Sequence, residues 1–489
     1  DIYNDTQSIT LDGNVSVSRD SAQTMKIVFE NVEVENLNTL TLKSYSGKIN
    51  GSINAQNLLY NPLLFGDINI KEFKIDEFLV GDISGALLWN DSNSKFDINM
   101  IVDRLGKKII QLEGDFYPAR TNNQLDLDLI LNEANLNIGE PYIEDYFTKI
   151  AGTISGKLTV SGTLSDPLIR GNGTIKNGGI KINYLNTEYR FGGGVRFDKN
   201  LISLSQLDFL DINGNPAQFG GEVRHNSFRD ISLDLYGNLD KFQVLNTTFD
   251  DSDLYYGNAN ATGTISLRGA ASNLTINADV TTSPNTQIYI PISEGTNDTS
   301  VDYINFINLT DTTQTYNTTG DEVDKMKIEG LKLDLNINVT PDAYTEIIID
   351  PKTGDIIRGR GNGQLRLQID TQGDFRMTGG LNITEGAYNF SLYNIITKEF
   401  DIEQPSRITW SGDPYTGIMD INASYSQNTS LAPILKQTGF DEENLSAVNR
   451  RYPTKVLLRL NGPLLSPEIG FDIDFSEVNS QDFQLQTAL

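Results

Sequence analysis

The feature that most constrains this chain is an alternation of apolar and polar residues that recurs throughout its sequence. Successive side chains of a β-strand point to opposite faces, so each such segment has one apolar and one hydrated face. The alternation therefore predicts an all-β protein. The apolar positions of the clearest segments are Leu125, Leu127, Leu129, Leu131, Ile231, Leu233, Leu235, Leu333, Leu335, Ile337, Leu365, Leu367, Ile369, Ile469, Phe471, Ile473 and Phe475.

Helical patterns are few. Residues 141–150 are compatible with a short helix that has Pro141 in its first turn, and residues 431–451 with a broken helical excursion. Neither could cover a large sheet, so an alternating βαβ architecture is excluded. Strand-plus-turn units of roughly 10–14 residues predict on the order of 35–45 strands. A sheet of that size must curl, and we predict an elongated, solenoid-like trough of stacked strands whose apolar faces line an interior groove.

A weak internal repeat with a period near 105 residues supports a stacked architecture. The segment from Gly47 to Asn57 resembles the segment from Gly152 to Gly162, and related stretches begin at Gly263 and Gly363. A partial copy occupies residues 457–467. Self-similarity at a fixed period is typical of chains in which each unit buries its apolar face against its neighbours.

Four segments follow from this pattern. Residues 1–282 are predicted to form a repeated β-trough, and residues 283–324, which are polar and rich in Thr and Asn, an insertion or loop. Residues 325–475 are predicted to form a C-terminal β domain. Residues 476–489 are expected to be a truncated tail.

Composition excludes several classes of function. The chain has 38 basic and 65 acidic residues, for a net charge of −27, so binding to nucleic acid is not expected. It has no cysteine, which excludes disulfides, thiolate catalysis and cysteine zinc sites. No apolar run approaches the roughly 18 residues of a membrane-spanning helix. The chain begins with Asp1, so we expect a processed or trimmed protein whose membrane anchor lies outside this sequence.

No catalytic, metal-binding or cofactor-binding constellation stands out, and we expect the chain not to be an enzyme. The single histidine, His225, is expected at the surface, and the run from Asp250 to Asp253 is interpreted as a solvated acidic turn. The glycines at 192–194 are interpreted as a strand bend. Trp410 and Tyr415 flank Gly-Asp-Pro and are expected to pack around a tight turn.

Several motifs resemble the C-terminal domain of the TamB family (translocation and assembly module), which belongs with AsmA-like bridge-type lipid transfer proteins. They are Val339-Thr-Pro-Asp-Ala343, the stretch from Gly354 to Leu365, the stretch from Gly380 to Phe390, and Ile408-Thr-Trp-Ser-Gly-Asp-Pro-Tyr415. The resemblance covers about residues 330–475, and residues 152–197 are similar to the upstream repeats of such proteins. The form of the motifs is most similar to the Bacteroidetes branch.

The resemblance implies a β-taco fold with a continuous hydrophobic groove in the periplasm of a Gram-negative bacterium. Its implied partners are phospholipids in the groove, an Omp85-type outer-membrane barrel similar to TamA or BamA, and the inner membrane through an anchor. The implied function is to bridge the two membranes, carry phospholipid and support outer-membrane biogenesis. The alternating apolar residues named above are then predicted to line the lipid groove, without any cofactor.

Two other readings stay open on the sequence. The chain could assist the assembly of outer-membrane barrels by strand pairing with an Omp85 partner, its apolar faces packed dry against each other. It could also be an extracellular β-solenoid adhesin or a polysaccharide-active enzyme. Alternation alone does not separate an open groove from a dry core.

Overall fold

A computed structural model describes residues 2–3, 6–14, 24–40, 44–56, 63–76, 78–142, 147–226, 229–252, 255–270, 272–292, 330–350, 354–370, 375–392, 396–430 and 451–474. The chain divides into two compact units. Unit 1 comprises Asp1–Asn238 and Ser266–Leu274, and unit 2 comprises Leu239–Ile265 and Thr275–Leu489.

Unit 1 is built from strands that pair antiparallel with their neighbours in chain order. They are β1 (Ile2–Tyr3), β2 (Ser8–Asn14), β3 (Thr24–Glu33), β4 (Tyr45–Gln56), β5 (Leu63–Ile75), β6 (Phe78–Asn90), β7 (Lys95–Arg104), β8 (Lys107–Phe116), β9 (Leu125–Asn135), β10 (Phe147–Gly162), β11 (Pro167–Ile182), β12 (Thr187–Lys199), β13 (Leu201–Asp211) and β14 (Pro216–Asn226). Three further strands contribute residues to both units: β15 (Arg229–Thr247), β16 (Tyr256–Ala270) and β17 (Asn273–Thr282).

Unit 2 continues with β18 (Gln287–Pro291), β19 (Lys332–Val339), β20 (Tyr344–Asp350), β21 (Asp355–Asp370), β22 (Phe375–Leu392), β23 (Ile396–Gly412), β24 (Ile418–Ser430), β25 (Arg451–Pro463) and β26 (Glu468–Asp474). Two of its pairings are parallel, β17 with β19 and β18 with β20. The strands from β21 to β26 pair antiparallel in chain order.

The predicted all-β class with few short helices is confirmed. The helical elements of the described residues are four short 3₁₀ segments: η1 (Val34–Leu40), η2 (Asp91–Asn93), η3 (Leu136–Tyr142) and η4 (Pro414–Thr416). The helix predicted at 141–150 is wrong, because η3 ends at Tyr142 and β10 has begun by Phe147. The excursion predicted from residue 431 lies outside the described residues up to 450, after which β25 begins. Within the predicted insertion, residues 287–291 form β18, and residues 293–324 lie outside the described part.

Many strands bend without ending because they contain β-bulges. In β11 the pairing with β12 shifts between Ile175 and Gly178, beside Asn177 with φ of +50°. The extra residue of a bulge reverses the phase of the alternation, so the apolar residues move from odd to even numbers within one strand. The described residues therefore form 26 strands of up to 19 residues rather than 35–45 short ones.

The sequence repeat corresponds to a repeated bulge. Three exposed residues adopt left-handed φ angles: Asn31 (+51°), Glu133 (+54°) and Lys241 (+53°). Each donates its backbone N–H to a polar side chain on the next strand, namely Asn50 Oδ1 at 3.0 Å, Ser155 Oγ at 2.9 Å and Thr262 Oγ1 at 2.9 Å. These polar residues thus satisfy backbone groups that the bulge removes from the ladder.

The residue that follows each acceptor is the glycine of the repeat. A Cβ added to Gly51, Gly156 or Gly263 would lie 2.1, 2.3 or 2.2 Å from a backbone carbonyl oxygen, that of Asp67, Asn172 or Asp279. In each case the oxygen belongs to the residue 16 positions further along the chain. The repeat therefore requires glycine because two strand backbones approach more closely than any side chain permits.

We predict that Gly156→Ala lowers the free energy of unfolding by about 1–3 kcal/mol, because the added methyl group overlaps the β11 backbone. Gly194→Ala is the matched control in the same unit, since its Cβ would meet nothing within 4 Å. The control should change stability by less than about 0.5 kcal/mol. Urea denaturation measures both, and equal losses would contradict the close-approach explanation.

Candidate functional site

The predicted groove residues of β9 lie on a continuous apolar face of unit 1. Leu129 lies opposite Leu112 of β8 and Leu158 of β10. The same row continues by register through Gly171, Phe197 and Ile202. We call this surface of β8 to β13, together with the residues in register with it, the apolar face.

The second predicted group lies on the same face. From Leu131 a row runs by register through Gly156, Gly173, Val195, Leu204 and Gly221. A Cβ on Gly221 would lie 2.9 Å from Leu235 Cα, so Leu235 extends this row, and Ile231 and Leu233 share its strand face. The structure thus places seven residues, 125–131 and 231–235 at alternate positions, on one face of the sheet, with β10 to β14 between the two groups.

The apolar face is incompletely covered. Leu125 and Leu127 are buried, whereas Leu129 and Leu131 remain partly exposed. The β15 residues Ile231, Leu233 and Leu235 are also partly exposed. Three of the seven positions in the Leu131 row are glycines, and at one of them, Gly173, the side chains of Ile154 and Val195 occupy the adjacent space.

The predicted residues of β19 and β21 form three directly opposed pairs in unit 2. They are Leu333 with Ile369, Leu335 with Leu367, and Ile337 with Leu365. Ile369 is buried and the other five are partly exposed. Ile337, Leu365 and Leu367 pack against a large buried cluster, so this part of the predicted lining borders a filled interior.

The last predicted group lies on β26. Ile469, Phe471 and Ile473 lie opposite Leu460, Leu458 and Val456 of β25. They are 45%, 55% and 41% exposed, although Leu458 and Leu460 are fully buried. Phe475 lies outside the described residues. These three apolar side chains are therefore only partly covered by the described protein.

Sequence reasoning missed the most deeply buried residues. We call the buried cluster of unit 2 the C-terminal core; its members include Ile357, Ile408, Trp410, Met419, Ile421, Leu458, Leu460 and Leu464. Several of them do alternate in the sequence, as Met419, Ile421 and Ala423 show. The pattern that identified the other segments could have found them, but alternation does not tell a filled face from an open one.

Trp410 and Tyr415 pack around a tight turn, as predicted. Trp410 is buried in the C-terminal core, and its indole N–H donates to the Pro414 carbonyl at 3.1 Å. Asp413 accepts the backbone N–H of Tyr415 at 2.9 Å and so caps η4. The interpretation of the glycines at 192–194 as a strand bend is also confirmed, because Gly193 lies in β12 with φ of +144° at a register shift.

His225 is buried, so its predicted surface position is wrong. It lies near the end of β14, where its side chain is 7% exposed and its backbone N–H donates to the Asn200 carbonyl at 2.9 Å. Burial lowers the pKa of the imidazole, because the charged form loses hydration. Ala217, Phe219 and Val223 precede it at the same phase, so the alternation within β14 could have predicted the inward position.

The opposite, hydrated face carries paired charges. Lys157 lies 3.5 Å from Asp128 across β9 and β10, and Arg366 binds Asp334 through two hydrogen bonds of 2.9 and 2.8 Å. The guanidinium hydrogen bonds lower the pKa of Asp334. The hydrated face of unit 2 also has an open depression of about 640 Å³, and Asp279 is the one acidic residue that lines it. The Asp279 carboxylate accepts a hydrogen bond from the Asn336 side-chain amide at 2.7 Å.

Among the described residues, no three His, Cys, Asp or Glu side chains converge as metal ligands would. In the same part of the chain, no helix has the length and apolar character needed to cross a membrane. In the acidic run, Asp251 accepts the backbone N–H and the hydroxyl of Thr248, and Asp253 lies outside the described residues.

Long strands, one apolar face and a hydrated face of ion pairs define a class of one-sided β protein suited to apolar ligands. A family model described as the TamB C-terminal domain matches residues 206–482, more than half of the chain. The chain belongs to the TamB family, whose members are Gram-negative envelope proteins. The match begins well before the motif-bearing residues 330–475. No curated protein matches the chain.

We predict that His225→Gln reduces the loss of stability on acidification. A lowered pKa means that His225 resists protonation in the native state. It therefore contributes stability at pH 7.5, and this contribution is lost as the pH falls below the ordinary histidine pKa near 6.5. The variant lacks this group, so its unfolding free energy should fall less between pH 7.5 and pH 5. Urea titrations at both pH values test this, and parallel losses in the two proteins would refute it.

Proposed function

We propose that this protein carries phospholipid along its apolar face as part of a bridge between the inner and outer membranes, and so supports outer-membrane biogenesis. Family membership supports a role in lipid handling or outer-membrane assembly. The single observation that carries the lipid proposal is the partly exposed apolar face of unit 1. An apolar surface of this extent in water calls for a ligand or a partner.

The physical chemistry of the face suits acyl chains. Each buried methylene contributes about 0.8 kcal/mol, so a chain of about 16 carbons gains on the order of 10 kcal/mol on leaving water. Neighbouring strands offer similar Leu, Ile, Val and Phe surfaces, so adjacent positions differ little in free energy and the lipid can move between them. The headgroup stays in water beyond the trough mouth. The protein then needs no nucleotide site, and a concentration gradient or an external motor sets the direction.

The remaining partners belong to the same proposal. The chain acts in the periplasm, with the inner membrane reached through an anchor segment and the outer membrane through an Omp85-type barrel. As part of the same proposal, we expect the protein to act as a carrier and not as an enzyme. The Bacteroidetes origin, the groove-lining residues and the four segment boundaries stay predictions.

Substitution on adjacent positions of β9 tests the lipid proposal. We expect Leu129→Asp to reduce co-purifying phospholipid several-fold, because a carboxylate on the apolar face must stay hydrated. Ile130→Asp is the matched control, since Ile130 is also partly exposed but points to the opposite face, opposite Gln111 and Lys157. Mass spectrometry of extracts from gently purified protein measures the lipid. Equal lipid in both variants, or none in the native protein, would refute the proposal.

A second candidate function is strand pairing with an outer-membrane barrel during its assembly. Within the described residues, β26 hydrogen-bonds only to β25, and its apolar side chains are 41–55% exposed. A strand edge of this kind can accept a further strand from another chain.

Because the chain lacks cysteine, one introduced residue reports this contact. We expect Gly470→Cys on β26 to form a disulfide with a cysteine on the edge strand of an Omp85-type barrel. Gly139→Cys, at an exposed position of η3, should not. Non-reducing electrophoresis of the co-expressed proteins reads the result, and the strand-pairing candidate fails if the two positions behave alike.

A further inference from the structure

The most completely buried apolar side chains of the described residues lie in unit 2, although its strand β26 keeps Ile469, Phe471 and Ile473 41–55% exposed. In the described part of the chain, every apolar side chain exposed by 2% or less lies in unit 2. They are Phe242, Ile357, Ile408, Met419, Ile421, Ala423, Leu458, Leu460 and Leu464. On the apolar face of unit 1, by contrast, Leu112, Leu129, Phe197 and Ile202 all remain partly exposed.

The interior of unit 2 is filled by its own side chains because its last strands curl. β22 and β26 are four strand steps apart, which is roughly 19 Å at ~4.8 Å for each step. Yet the rings of Phe390 on β22 and Phe471 on β26 have centroids only 5.6 Å apart. Phe400 on β23 is also close to Phe471, at 6.4 Å. Only a strongly curled sheet brings these rings together, and its interior is then occupied by Leu458, Leu460 and Ile421.

Residues at the η4 turn pack into the same buried cluster. Trp410, Pro414 and Tyr415 lie against Ile292 and Ile347, and the space left among them is about 10 Å³. A single water needs about 10–15 Å³. Each methylene group of an acyl chain is similar in size to a water, so this space is too small for an acyl chain. Widening it would require separating side chains that pack at interior density.

We propose that the C-terminal core is a stopper that excludes acyl chains, so that the lipid site of this chain is confined to the apolar face of unit 1. This inference rests on the proposed function, which supplies the lipid. It makes the core structural rather than part of the conduit.

The chain offers a direct test because it contains two tryptophans, one in each unit. Trp89 lies on the apolar face, in a row that runs through Phe96 and Phe116 to Leu125, and it is partly exposed. Trp410 lies in the C-terminal core and is 6% exposed. Bromine atoms on an acyl chain quench tryptophan fluorescence only near contact, so each indole reports lipid in its own unit.

The experiment uses the full chain as Trp410→Phe, which keeps Trp89, and as Trp89→Phe, which keeps Trp410. Each is loaded with phosphatidylethanolamine brominated on its acyl chains, and unbrominated lipid is the reference. We expect at least half of the Trp89 emission to be quenched and the Trp410 emission to stay within one tenth of the reference. If both tryptophans are quenched, or Trp410 alone, the stopper is overturned. If neither tryptophan is quenched, the proposed lipid function itself is refuted.

A second measurement guards against a folding defect in Trp410→Phe. Benzoylphenylalanine replaces Phe197 on the apolar face or Phe400 in the C-terminal core, which keeps an aromatic ring at both positions. Circular dichroism and melting curves verify that each variant is folded. Ultraviolet irradiation with radiolabelled phospholipid should label the Phe197 variant at least tenfold more strongly than the Phe400 variant. Equal labelling of two folded variants would overturn the stopper.

Discussion

The structure depends on the need to remove one face of every strand from water. A strand with leucine or isoleucine at each second position is stable only if another surface covers that face. In unit 2 the protein provides the cover, because β22 to β26 curl until side chains from the first and last of these strands meet. In unit 1 the cover is partial, and the exposed remainder is the basis for assigning it a ligand. One sequence pattern thus produces a filled core in one place and a partly exposed apolar face in another.

Bending is what makes either outcome possible, and it is local in origin. At the repeated bulge, a residue in the left-handed conformation turns the strand, and a polar side chain of the next strand accepts the N–H that the turn releases. The adjacent glycine lets the following backbone approach within a distance that a Cβ would forbid. What recurs in the repeat is therefore a way of bending a sheet.

The alternating sequence was sufficient to predict the all-β class, because period-two patterning has a direct geometric meaning. The register places Leu131 in one row with Gly221, which lies beside Leu235. That this face lines a lipid groove stays a prediction. The alternating sequence could not predict strand ends, because a bulge interrupts the alternation as a turn does. Sequence reasoning also misplaced His225, whose side chain is inward near the end of a strand. Whether a face is filled depends on sheet curvature, and this is set by contacts between residues far apart in sequence, such as Phe390 and Phe471.

The charge distribution complements this division of faces. Acidic residues exceed basic ones by 27, and cations such as Lys157 and Arg366 are held in pairs on the hydrated face. Exposed pairs of this kind contribute little to stability, about 0–1 kcal/mol each. Their main effect is on association, since a net negative surface repels both anionic headgroups and other copies of the chain. Under the proposed function, attraction to lipid comes from the apolar face alone, so we expect affinity to follow acyl-chain contact and to depend weakly on the headgroup. A carrier for mixed phospholipids needs that property, because a strong headgroup site would hold one lipid class in place.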